Sequence, residues 1–140
     1  MAKQDDTYQM TVQASTKHLA KVRNFVAHHA AAFGLDQEKV DDIRLAVDEA
    51  YTNIIKHAYK SNSNSSVEIR LGYNNAKFWV TLQDTGRAFN PDTYQKPNIR
   101  RRIKQKKRGG IGVYLIRELM DKVEYSTKDA INSIRMTKIK

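Results

Sequence analysis

Between Asp41 and Tyr59 the chain reads DDIRLAVDEAYTNIIKHAY, and two patterns share that one stretch. Val40, Ile43, Val47, Ala50, Ile54 and Ala58 recur at helical spacing, an apolar stripe that predicts a helix laid on a core. Glu49, Asn53 and His57 stand at i, i+4 and i+8, a polar line along one flank of the same helix. A solvated helix edge has that pattern. So does a magnesium site, because a hard cation takes oxygen ligands and an amide beside a carboxylate supplies them. The helix is expected to start at Asp36, with Leu35 packing onto Val40 across the cap.

Upstream, Tyr8–Gln13 alternates as a strand with Tyr8, Met10 and Val12 on one face. Ser15 or Thr16 then caps a helix carried by Leu19, Val22, Phe25, Val26 and Phe33, and Gly34 is placed to end it. Downstream, Lys60–Ser66 (KSNSNSS) has no apolar anchor and reads as a loop. Val67–Tyr73 and Lys77–Gln83 alternate on either side of Asn74-Asn75, the pattern of a hairpin. After Asp84-Thr85-Gly86 the periodicity lapses for more than twenty residues, the length of a lid or binding loop. Gly109-Gly110-Ile111-Gly112 then leads into a helix with Val113, Leu115, Ile116, Leu119 and Met120, and strands Lys122–Thr127 and Ser133–Ile139 close the chain. The order β-α-α-β-β-loop-α-β-β predicts an α+β two-layer sandwich: a mostly antiparallel, mixed sheet covered by three helices.

Composition agrees with one domain over residues 1–140. The chain has 140 residues, 40% of them hydrophobic, enough to bury a core. It has no cysteine, which excludes disulfides, thiolate metal sites and cysteine nucleophiles. No window approaches the roughly 18 apolar residues of a membrane span, so no membrane partner and a cytoplasmic location are expected. The net charge is +10, yet Lys96–Arg108 (KPNIRRRIKQKKR) alone holds eight basic residues. Of the 25 basic residues 17 lie elsewhere, against 15 acidic ones. The charge is thus one local run without interleaved aromatics, which argues against a nucleic-acid face.

Two further places interrupt the core pattern. Asp84-Thr85-Gly86 closes a strand; it is either a turn or a carboxylate that accepts from the exocyclic amine of a base, with a glycine beside it for close approach. Gly109-Gly110-Ile111-Gly112 is either a loop-to-helix junction or a phosphate seat, where backbone N–H groups meet the positive end of a helix. The chain has no G-x-x-x-x-G-K-[ST], and Gly110 and Gly112 lack the rest of a dinucleotide fingerprint.

The order of these boxes resembles the GHKL nucleotide-binding superfamily, and within it the anti-sigma factor serine/threonine kinases. DDIRLAVDEAYTNIIKHAY is similar to their N box, LQDTGRAFNP to their first glycine box, GGIGVYLIRELMDKVEYS to their second and INSIRMTKIK to their final strand. The resemblance runs over nearly the whole chain and implies a Bergerat-type ATP-binding fold, with an ATP lid at about residues 88–109.

It also implies roles. Asn53 would coordinate magnesium bridging the phosphates of ATP, and Asp84 would read the adenine amine beside Gly86. Gly110, Ile111 and Gly112 would bring backbone amides to the phosphates. His57 would pack or hydrogen-bond beside the site, and Thr137 would support the adenine contact. Glu49 would act as general base on a substrate serine or threonine. The basic lid departs from the family, whose lids are commonly mixed or acidic there. Arg101, Arg102, Lys106, Lys107 or Arg108 would reach phosphate, or the run would steer an acidic partner, or it is a solvated loop. The implied function is an ATP- and Mg2+-dependent kinase that phosphorylates an anti-anti-sigma antagonist, sequesters a sigma factor by partner switching, and forms a homodimer. The competing expectation is a nucleotide-dependent binding module without phosphotransfer.

Overall fold

The computed structural model describes residues 6–60, 66–84, 111–128 and 131–140. Five strands form one sheet: β1 (Asp6–Gln13), β2 (Ser66–Tyr73), β3 (Lys77–Asp84), β4 (Lys122–Lys128) and β5 (Ile131–Ile139). Among the described residues three α-helices join them: α1 (Leu19–Phe33), α2 (Gln37–Lys60) and α3 (Ile111–Leu119). The strand order is β1-β2-β3-β5-β4. All four pairings are antiparallel, so the expected mixed character corrects to a purely antiparallel sheet among the described residues.

Local chemistry sets the helix ends. Ser15 accepts from the Lys17 amide at 3.2 Å and caps a short 3-10 turn at Thr16–His18 that precedes α1, so the expected cap sits one turn early. Gly34 closes α1 in the left-handed region at φ 102°. Its N–H bonds the Ala31 carbonyl at 3.0 Å and the Leu35 N–H reaches back to Ala30 at 3.4 Å, a Schellman closure that a side chain would strain. Asp36 then caps α2 by accepting from the Lys39 amide at 2.9 Å.

The helices cover one face of the sheet. Strand alternation sends Val67, Ile69, Leu71, Phe78, Val80, Leu82, Ile134 and Met136 to that face, where they bury against Val22, Val26 and Ala30 of α1, the α2 stripe, and Ile116 of α3. Each such side chain contributes roughly 1.5–3 kcal/mol of burial. On α2 the buried set is wider than the expected stripe: Ala46, Tyr51 and Ile55 join Val40, Ile43, Val47 and Ala50. Ile54 is only half-buried, and the Ala58 side chain lies outside the described residues.

The opposite face is polar, with Trp79 as its largest group. Trp79 lies so close over Gly72 that a Cβ there would come within 2.3 Å of the ring. The Arg135 guanidinium stacks at 4.6 Å from the same ring. Among the described residues no helix is long and apolar enough to cross a membrane.

Candidate functional site

Directly opposed residues of an antiparallel sheet share a face, so the register reads out as rows. On the helix-covered face one row runs Tyr8–Leu71–Val80–Met136–Val123, and the next Met10–Ile69–Leu82–Ile134–Tyr125. The third begins Val12–Val67 and then changes character to Asp84, Asn132 and Thr127. Asp84 is there because β3 alternates strictly: Phe78, Val80, Leu82 and Asp84 all point to the helices. Its carboxylate is only 3% exposed. Burying a carboxylate at the end of an apolar row costs free energy, and the sheet gains nothing in packing from it.

Above this row the helical layer leaves a cleft. Ala50, Asn53 and Ile54 of α2 form one wall, and Ile116 of α3 another. Asp84, Asn132, Ser133 and Ile134 form the floor, with Tyr125 and Ser126 at the β4 side. About 500 Å³ of open space, continuous with solvent, lies among them. The lining has the usual make-up of small-molecule sites, apolar walls with a few convergent polar groups. Flat aliphatic walls and a buried carboxylate suit a planar heterocycle with an exocyclic amine, since an ionised carboxylate can only accept.

Asn53 and Asp84 are therefore brought together as expected. Ile54 is half-buried because it lines this cleft while also packing against the core. Glu49 lies one turn before Asn53, about 6 Å along the axis, half-exposed and outside the cleft lining. Its neighbour Asp48 pairs with Arg23 of α1 at 3.2 Å, so that side of α2 is turned to α1. With Asp48 turned to α1, Glu49 and Asn53 share the next flank. Asn53 supplies an amide oxygen of the kind magnesium takes. Among the described residues no group of three His, Cys, Asp or Glu could hold a metal ion by itself.

The expected role of Thr137 does not survive the register. Thr137 pairs with Trp79 on the open face, whereas Asp84 pairs with Asn132 on the helix-covered face. Five positions separate Asn132 from Thr137, and an odd step along a strand reverses the face. At 3.3 Å per residue, Thr137 is also roughly 16 Å along β5 from the cleft floor. The residue beside Asp84 is Asn132, which sequence reading did not single out.

α3 opens at Ile111, so Gly112 falls within its first turn, where unpaired N–H groups favour an anion. The side chains of His57 and Ile111 lie outside the described residues, as do Gly86, Arg108, Gly110 and the whole of the expected lid at 88–109.

The family model of the histidine kinase-like ATPase domain matches residues 12–138. A serine-protein kinase RsbW of Bacillus subtilis is 31% identical over 137 residues, 95% of this chain and 85% of that protein. Another of the same name from Halalkalibacterium halodurans is 32% identical, covering 96% and 84%. One from Staphylococcus aureus is 29% identical, covering 99% and 89%. A crystal structure of RsbU and RsbW domains from Mycobacterium tuberculosis superposes with a TM-score of 0.65 at 16% identity. That match covers 96% of this chain but only 32% of the other, and it concerns the fold alone.

Proposed function

The chain belongs to the histidine kinase-like ATPase family, and from that premise we propose that it is an ATP-dependent protein serine/threonine kinase of the anti-sigma type. The observation that carries the reading is the pairing, across one cleft, of a buried carboxylate, Asp84, with Asn53 of α2, one turn along from Glu49. The relatives named as serine-protein kinases match over most of this chain's length, which supports the enzyme over a passive binding module.

In this reading the adenine lies between Ile54, Ala50 and Ile116 on one side and the floor strands on the other. Asp84 accepts from its amine. Asn53 would hold a magnesium ion through its amide oxygen, and the ion would supply neutralisation of phosphate charge. Gly112 and its neighbours offer α3 N–H groups to the phosphates. Glu49 accepts the proton of a substrate hydroxyl. As that oxygen bonds to the γ-phosphorus, the bond to the β-phosphate bridging oxygen breaks and ADP leaves.

The substrate is then a serine or threonine of an anti-anti-sigma antagonist protein. The same chain, as a soluble cytoplasmic homodimer, holds a sigma factor until the antagonist displaces it. Transfer of labelled γ-phosphate to candidate antagonists tests this. Wild type should transfer, and Glu49→Gln should lose at least about a hundredfold in rate with ATP affinity kept, the contribution typical of a general base. ATP binding without transfer would instead favour the binding module.

A further inference from the structure

On the sheet face turned away from the helices, Trp79 and Thr137 stand side by side. Ile139 lies two positions further along β5 and Arg135 two positions back, so all four share that face. Trp79 lies against Gly72, and Arg135 stacks on its ring at 4.6 Å. Ile139 is 49% exposed, the most of any large apolar side chain among the described residues. Its backbone is held from both sides: its N–H donates to Asp121 at 2.6 Å, and its carbonyl accepts from Lys39 at 3.3 Å. The pairing of β4 with β5 ends at Lys122 and Thr137, so β4 does not reach Ile139. A tryptophan and an isoleucine are thus presented to solvent on a rigid surface. The charge around them is one-sided. Arg70, Lys77, Lys122, Lys128 and Arg135 share the face with the carboxylates of Glu68 and Glu124. Glu68 pairs with Arg70, and Glu124 with Lys122 at 3.8 Å. Among the described residues no carboxylate pairs with Lys77, Lys128 or Arg135.

We infer that this open face is a docking surface for an acidic segment of a partner protein, which sets an apolar side chain against Trp79 and Ile139 and carboxylates against Arg135 and Lys77. Tryptophan and arginine are the residues over-represented where interfaces concentrate their energy, and unpaired cations around them steer and select an acidic partner. A second copy of the same face would bring like charge against like charge. Trp79 is half-buried against the sheet, so it does not project as the aromatic anchors of membrane-surface proteins do. The face lies across the sheet from the nucleotide cleft, so a partner docked here leaves that cleft open. The inference therefore goes beyond the nucleotide reading and does not depend on it.

The chain has a single tryptophan, so the emission of Trp79 reports on this face itself. The probe is a random copolymer of glutamate and tyrosine, with polyglutamate and phosphatidylserine vesicles beside it. The copolymer should shift Trp79 emission saturably, more weakly as salt rises, and bind several-fold more tightly than polyglutamate. Arg135→Glu and Ile139→Asp alter exposed side chains, so melting temperature and ATP affinity should stay near wild type in both. Copolymer affinity should fall roughly tenfold in each. The double variant Lys106→Ala, Lys107→Ala, in the basic run, should keep the Trp79 response. An emission that does not move, or wild-type affinity in both Arg135→Glu and Ile139→Asp, overturns the proposal. A response lost in the double variant of the basic run does the same. A preference for the vesicles over the copolymer also overturns it, since the face would then be a membrane surface.

Discussion

The helix-covered face of the sheet carries a buried charge at each end, and the two are built differently. At one end Lys138 sits opposite Phe78 on the floor of the core, 9% exposed. Its ammonium is enclosed by the molecule itself: Asp42 of α2 lies at 3.2 Å, and the Leu119 carbonyl at the end of α3 accepts a second bond. Phe33, Tyr73 and Phe78 pack around that end, with ring centroids 5.1 Å apart for Phe33 and Tyr73 and 6.1 Å for Tyr73 and Phe78. At the other end Asp84 is as deeply buried, but the groups above it are the walls of a cleft open to solvent. A buried charge matched by the chain's own ions ties elements together. In the reading proposed above, one that borders an open cleft meets a ligand there.

If this contrast is right, the two charges fail in opposite ways. Asp84→Asn should have the largest effect, weakening ATP binding by roughly a hundredfold, since a charge-assisted acceptor becomes a donor facing the amine. Calorimetry should show that loss while thermal unfolding stays near wild type, because the amide keeps the shape of the carboxylate. Lys138→Met should do the reverse: nucleotide affinity within about twofold, and stability lower by about 2–3 kcal/mol in denaturant unfolding. Removing one partner of a buried pair strands the other, and the partial exposure of Asp42 moderates the cost. Equal effects of the two variants on binding would break the comparison.

Gly72→Ala sharpens it from the other face of the sheet. The added methyl would meet the Trp79 ring and should cost about 1–3 kcal/mol in unfolding with no change in ATP affinity. The smallest effect is a pH dependence far from the cleft. Burial holds His29 below its ordinary value of 6.5, and its neighbour His28 adds to this. Its ring stacks on Tyr8 at 3.9 Å. Below pH 6.5 the unfolded chain takes up a proton that the folded one resists, so this part of the stability is complete above 6.5 and declines as pH falls. The drop in melting temperature between pH 7.5 and 5.5 should shrink in His29→Gln.

Much of this was legible in the sequence because it is periodic. The strands and helices follow from spacings of two and 3.6, the Gly34 stop from its place after Phe33, and the α2 flank from a step of four between Glu49 and Asn53. Asp84 stood out as a carboxylate at the end of an apolar strand. Thr137 was misplaced because resemblance assigns a segment, whereas the face of a strand residue depends on parity. Counting back by twos from Met136 through Ile134 leads to Asn132, and that signal was present in the sequence. What it lacked was the pairing: β3 and β5 are neighbours only through a long connection, so no local pattern sets Asp84 beside Asn132. The Lys138–Asp42 pair is hidden for the same reason, its partners lying 96 residues apart.

The central claim is that the α2 flank and the polar end of the sheet together bind a magnesium nucleotide. Calorimetric titration of ATP with and without magnesium, on wild type and on Asn53→Ala, tests it most directly. The account predicts magnesium-dependent binding by wild type that Asn53→Ala abolishes without loss of fold. Binding indifferent to both magnesium and Asn53, or no binding up to millimolar ATP, would contradict it.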